Sequence, residues 1–251
     1  MRGSGPEILA AAPGPIAKII LSHAHADHRG AAPELEAPIY CHPDEVDDAQ
    51  TDWPQSYLDF SLINNERIRE GLRRLNQMWD SGPVQIAGTV DEGDEVAGMR
   101  VVHVPGHAPG EIALFRAADG LLLAGDAIYT QDAETGQPAS ARVPHQFANW
   151  DTEQARASIR KLITYKPTSV WLGHSTSITG DVEPQLKAAA PSDRADPTPR
   201  VGSGPTLAQP SVREHPRTPR RDERRAEWIS AERVPPSTAR RELNPVDSAV
   251  R

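Results

Sequence analysis

The chain has 251 residues, but only 37% are apolar and 24 are prolines, so its length overstates the core it can build. Residues 191–251 hold 12 Arg, no Lys, nine acids and ten prolines, a net charge of +3, which leaves −11 on residues 1–190. The acidic body lacks the basic stripe that nucleic acid needs, a lone cysteine excludes a disulfide framework or a multi-thiolate metal site, and no apolar run is long enough for a membrane span. The expectation is a cytoplasmic protein that acts on a small molecule, with neither nucleic acid nor membrane as partner.

In chain order, the β-branched run Ile16 to Leu21 reads as a buried strand that opens into a loop at Ser22, and Ala37 to Cys41 reads as a second strand before a helix start near Pro43 to Val46. A helical pattern follows from Ser56 to Trp79, interrupted by Gly71, and its place between strands predicts a helical insertion over about 56–80. Strand signals resume at Val84–Ile86, Glu95–Val96, Met99–Val104, Glu111–Phe115 and Leu121–Ala124, with turns at Gly93, Gly98 and Asp119-Gly120. Asp151 with Gln154 three residues later predicts a capped helix that ends before Pro167, and Ser169 to Leu172 is a last strand. Alternating helix and strand around an antiparallel middle predicts an α/β fold for residues 1–190. Beyond Pro191 the periodicity vanishes, and the Arg/Pro-rich 191–251 stretch is expected to be a disordered tail.

The histidines are clustered. His23, His25 and His28 fall with Asp27 inside six residues directly after a buried strand, where a tight loop can aim side chains at one point. Imidazole and carboxylate suit Zn, Fe and Mn. Three more ligand types sit just after strands in glycine-flanked turns: His107 in Pro-Gly-His-Ala-Pro-Gly, Asp126 in Ala-Gly-Asp-Ala and His174 in Leu-Gly-His-Ser.

This set, running from about residue 16 to 187, resembles the metallo-β-lactamase fold superfamily, marked by His-x-His-x-Asp-His followed by His, Asp and His at strand ends. The resemblance implies a four-layer αββα sandwich. It also implies that His23, His25 and His107 hold one divalent metal ion, that Asp27, His28 and His174 hold a second, and that Asp126 bridges them. The ions would be Zn, with Fe or Mn as alternatives. Two such cations lower the pKa of a shared water and polarise a carbonyl oxygen, so a bridging hydroxide would attack a carboxylic ester, thioester or lactone. Asp27 would also carry a proton.

The ligand types narrow the family. Relatives that hydrolyse β-lactams generally lack the bridging aspartate, and redox di-iron members typically carry Glu where this chain has His25. The remaining branch is similar to glyoxalase II and acyl-homoserine lactonases. A mono-iron persulfide dioxygenase and a truncated, inactive binding protein are the alternatives. Asp-Ala-Ile-Tyr resembles a lactonase segment in which the tyrosine, here Tyr129, hydrogen-bonds a developing oxyanion. His145 is a weaker candidate for touching substrate. His42 and His103 read as structural and Cys41 as a small buried hydrophobe. In the insertion, Arg67, Arg69, Arg73 and Arg74 suit either an anionic substrate or a solvated face.

Family members place several strands and an Asp-x-Gly turn ahead of the first metal motif, whereas 22 residues precede His23 here. The expectation is a sandwich lacking its first N-terminal strands, with Met1 an internal start or the chain a fragment, and one sheet left with an open edge.

Overall fold

Short runs of branched and apolar residues become strands in the computed structural model, which describes residues 1–52, 58–133 and 135–191. The tail expected beyond Pro191 and the start of the insertion at 56–57 lie outside the described residues.

The chain opens with helix α1 (Gly5–Ala11), an element the prolines at 13 and 15 obscure in the sequence. Strands β1 (Ile19–Ile20), β2 (Ile39–Cys41) and β3 (Ile86–Thr89) form a parallel sheet in that order. Parallel neighbours need crossovers. The first carries the one-turn helix α2 (Ala26–Arg29), and the second carries α3 (Val46–Ala49) and the insertion helix α4 (Glu66–Trp79). Among the described residues β2 is the one strand partner of β1, which leaves β1 at an edge.

The second sheet contains β4 (Glu95–Val96), β5 (Met99–His103), β6 (Ile112–Arg116), β7 (Leu121–Leu123) and β10 (Ser169–Trp171), ordered β10-β7-β6-β5-β4. Its pairs are antiparallel except β10 on β7. The β4–β5 hairpin turns on Ala97 and Gly98, both at positive φ (51° and 74°), the backbone that a two-residue turn requires. A separate antiparallel pair joins β8 (Tyr129–Gln131) to β9 (Pro138–Arg142). Helices α5 (Thr152–Ile163) and α6 (Val182–Ala189) complete the unit.

Strand alternation assigns the layers. Val102, Ala113, Leu122 and Val170 face Ile159 and Leu162 of α5 and Leu186 of α6 in one buried cluster. Burying each valine, leucine or isoleucine among them contributes about 1.5–3 kcal/mol. On the opposite face Val101, Ile112 and Leu114 meet Ile20 and Tyr40 of the parallel sheet. That sheet turns Ile39 and Cys41 the other way, toward Ala32 and Ala49. Helix, sheet, sheet and helix therefore stack as a four-layer α/β sandwich, as the ligand motif implied.

Three sequence expectations shift. Gly71 does not interrupt the insertion: α4 runs through it as one helix, because the Asn65 side chain caps it by accepting from the Arg67 and Ile68 amides. Ahead of it, Phe60–Leu62 form a separate 3-10 turn capped by Asp59. β3 begins at Ile86, not Val84, since the Val84 amide bonds Ala49 O and anchors the connection.

A partly buried ion pair ties these connections together. Arg29 is fully buried and grips the Asp80 carboxylate through Nε (3.2 Å to Oδ1) and Nη2 (3.0 and 3.1 Å). Its Nη1 donates to the Asp48, Ala49 and Thr51 carbonyls at 2.8, 3.0 and 3.1 Å. One side chain thus joins α2, the end of α3 and the residue that closes α4.

Candidate metal centre

All seven sequence-predicted ligand residues converge at the strand ends. Ser22 leaves β1, and its carbonyl accepts from Ile112 N (2.9 Å), which links the loop carrying His23 and His25 to β6 of the other sheet. His107 follows Gly106, where a Cβ would sit 2.2 Å from the Ala155 backbone, so the turn admits only glycine. Gly173 plays the same part before His174: a Cβ there would lie 2.2 Å from Asp126 Oδ1 and 2.9 Å from His28.

The ligands fall into two groups, His23 with His25 and His107, and Asp27 with His28, Asp126 and His174. In the first, His107 Nε2 lies 3.0 Å from His25 Nδ1. Two ligand nitrogens on one tetrahedral zinc are about 3.3 Å apart, given Zn–N bonds of about 2.0 Å. In the second, His174 Nε2 is 2.7 Å from Asp27 Oδ2. Asp126 stands between the groups: Oδ1 is 3.4 Å from His28 Nε2, while Oδ2 is 3.4 Å from His174 Nε2 and 3.6 Å from His107 Nε2. Tyr129 Oη donates to the same Oδ2 at 2.7 Å.

This donor set fits divalent metal. His23 Nε2 is buried and makes no hydrogen bond, a costly arrangement for a polar atom that faces no ion, and His28 Nε2 and Asp126 Oδ1 are buried with each other at 3.4 Å, outside hydrogen-bond geometry. The residues could hold two ions, one per group, with Asp126 in reach of both.

The two groups differ in charge. Burial pushes the His23, His25 and His107 imidazoles below their ordinary range. Burial acts the same way on His28 and His174 but is overcome there. Asp126 and Asp27 raise His28, and the Asp27 hydrogen bond with the Asp126 charge raises His174 to about 9. Burial would in turn raise both carboxylates, yet the facing imidazoles hold Asp27 and Asp126 below the usual carboxylate range. Burial and the neighbouring Asp126 push the Tyr129 phenol well up, so it stays an O–H donor.

A pH dependence of the metal-free protein follows. A histidine raised from 6.5 to about 9 on folding contributes stability that is complete below 6.5 and is lost as pH rises through 9. Melting temperature in chelator is therefore expected to fall between about pH 7 and pH 9, and a His174→Gln variant is expected to lose part of that slope, the raised His28 and Glu111 keeping the rest. A flat or rising profile in the parent protein over this window would contradict the pairing.

Sequence reading missed two buried carboxylates beside the ligands. Glu45 accepts from Ala24 N, between His23 and His25, and from Gly110 N beyond His107, both at 2.7 Å. Burial nonetheless raises its carboxyl to about 7. Glu111 Oε1 accepts from Asp126 N at 2.6 Å, and burial raises Glu111 well above the usual range. The available signal was a glutamate in phase with Ala113 at the head of an otherwise apolar strand.

The remaining candidates lie apart from the two groups. His42 caps the 43–45 turn by accepting from Asp44 N (3.2 Å) and stacks on His103 (centroids 4.0 Å, 15°). These two form a third possible cluster with Asp44, but parallel rings do not aim their lone pairs at one point. His145 accepts from Phe147 N at 3.3 Å. Cys41 is buried and its thiol is pushed up to about 12. In the insertion, Arg73 lies over the Phe60 ring, Arg74 pairs with Glu70, and Arg69 donates to Ile63 O.

The sandwich with ligands gathered at its strand ends defines a metal-binding αββα protein. Residues 2–174 match the family model of the metallo-beta-lactamase superfamily, and the chain belongs to that superfamily. It is 30% identical over 180 residues to the "Probable metallo-hydrolase YflN" of Bacillus subtilis (strain 168), covering 64% of this chain and 65% of that protein. It is 29% identical over 163 residues to an "N-acyl homoserine lactonase" of a Bacillus species, covering 62% of this chain and 54% of the lactonase. Among solved structures, TTHA1623 in a di-iron-bound form shares the fold, with a TM-score of 0.52 and 24% identity over 76% of this chain and 84% of that one.

Proposed function

We propose that this chain is a hydrolase with a dinuclear divalent metal centre, zinc in the first instance, which cleaves a carboxylic ester, thioester or lactone. The observation that carries the reading is Asp126, whose two carboxylate oxygens reach both ligand groups and the Tyr129 hydroxyl. The similarity to a protein named as a lactonase supports the bond class.

The bound ions would supply an acidified water and a Lewis acid for the substrate carbonyl. The chain's own groups do the rest. Asp27, held by His174 at 2.7 Å, is placed to relay a proton to the leaving group. Tyr129 keeps its proton, donated here to Asp126 Oδ2; turned from Asp126 toward the substrate, the same O–H can hydrogen-bond a developing oxyanion. Tyr129→Phe is expected to lower kcat by about 10²-fold while metal content stays at the parent level. Unchanged kcat would remove Tyr129 from catalysis.

The test of the reading is metal analysis of the purified full chain together with assays of p-nitrophenyl acetate, a thioester and an acyl-homoserine lactone. Two zinc per chain with chelator-sensitive turnover on one of these is the expected result. Iron-dependent oxygen uptake on glutathione persulfide without hydrolysis would replace this reading with a dioxygenase, and metal-loaded protein active on neither would overturn both.

A further inference from the structure

We infer that Ser22 is a positioning residue shared by both halves of the metal centre: its hydroxyl sets the ring tautomer of one histidine from each ligand group. This rests on the dinuclear reading above. Ser22 Oγ lies 3.1 Å from His23 Nδ1 and 3.3 Å from His28 Nδ1. On both rings the opposite nitrogen, Nε2, is buried and makes no hydrogen bond. A histidine that offers Nε2 as a lone pair carries its proton on Nδ1, and a serine oxygen has two lone pairs to accept two such N–H groups. A single hydroxyl can therefore hold both rings with Nδ1 protonated, which leaves His23 Nε2 bare and His28 Nε2 turned to Asp126 Oδ1.

The oxygen is itself fixed in place. Ser22 O is bonded by Ile112 N across the sandwich, and the Cα of Gly125 packs so closely that a Cβ there would sit 3.0 Å from Ser22 Cβ and 3.3 Å from Oγ. Partners of this kind, on the far nitrogen of a ligand histidine, orient the ring and raise its basicity. Here one partner serves two rings, so its loss falls on both metal positions together. Without it, the neutral His23 ring gains nothing by keeping its proton on Nδ1 and can carry it on Nε2, in the place of the ion.

The experiment compares the full chain with Ser22→Ala and Ser22→Thr, with three readouts. These are stepwise zinc affinities by chelator competition, long-range ¹H–¹⁵N spectra of the histidine rings in the metal-free and zinc-loaded forms, and melting of the metal-free protein. In Ser22→Ala both zinc equivalents are expected to bind about 10–100-fold more weakly, with Ser22→Thr restoring them. The metal-free His23 ring is expected to move from Nδ1–H toward Nε2–H. Unchanged affinities, a loss confined to one equivalent, or a His23 ring still protonated at Nδ1 would overturn the inference. So would a lower melting temperature with both affinities intact, which would leave Ser22 a structural residue only. A parent chain that binds fewer than two zinc ions fails at the earlier step and overturns the dinuclear reading itself.

Discussion

Asp126→Ala is expected to abolish hydrolysis in practice, lowering kcat/KM by at least about 10³-fold, which corresponds to roughly 4 kcal/mol of transition-state stabilisation. The size of the effect follows from the number of groups that converge on this side chain. Its Oδ1 faces His28, its Oδ2 faces His107 and His174 and accepts from Tyr129, and its backbone amide is pinned by Glu111. Removing the carboxylate takes the shared anion from between the two groups and frees the tyrosine. Asp126→Asn separates charge from shape: it keeps an oxygen for Tyr129 but loses the charge, and its activity is expected near that of the alanine variant. Metal content of each variant, read beside kcat and KM, shows whether binding or chemistry failed. Parent-like turnover in the alanine variant would remove Asp126 from the reaction.

The largest expected stability effect lies at Arg29. Arg29→Met should cost about 3–5 kcal/mol, because it takes a fully buried guanidinium away from the partly buried Asp80 carboxylate, which keeps Gly82 N, and from three carbonyls, of which Ala49 O keeps Val84 N. For a unit of this size the melting temperature should drop by about 10 °C or more. A second change, Asp80→Leu in the Arg29→Met background, should recover part of the loss, since a buried pair replaced as a whole costs less than a pair broken in half. Urea unfolding of the metal-free forms measures both effects. A single-variant cost under about 1 kcal/mol would show that water reaches the pair freely.

How much the sequence disclosed depended on the range of each interaction. The ligands were legible because each sits next to a strand end, where the chain leaves a sheet at a place that local pattern already marks. The cap of α5 was legible too: Asp151 accepts from Gln154 N, as its spacing suggested. What escaped was fixed by contacts distant in sequence. Gly71 has the look of a break, but it faces open space in a helix whose start Asn65 secures, so one glycine costs only about 1 kcal/mol there. Glu45 reaches Gly110 across 65 residues, and Arg29 reaches Asp80 across 51. No periodicity in either neighbourhood announces such partners. Ser22 passed for the end of a strand because its role depends on two imidazoles that only the folded loop brings to one oxygen.

The ligand residues are divided between the layers. His23, His25, Asp27 and His28 follow the first strand of the parallel sheet, while His107, Asp126 and His174 follow strands of the other sheet. Ions held between them would act as rivets through the sandwich. The sheets could then part only by letting the ions go, and the resistance of the fold to opening would rise with the free concentration of metal around it.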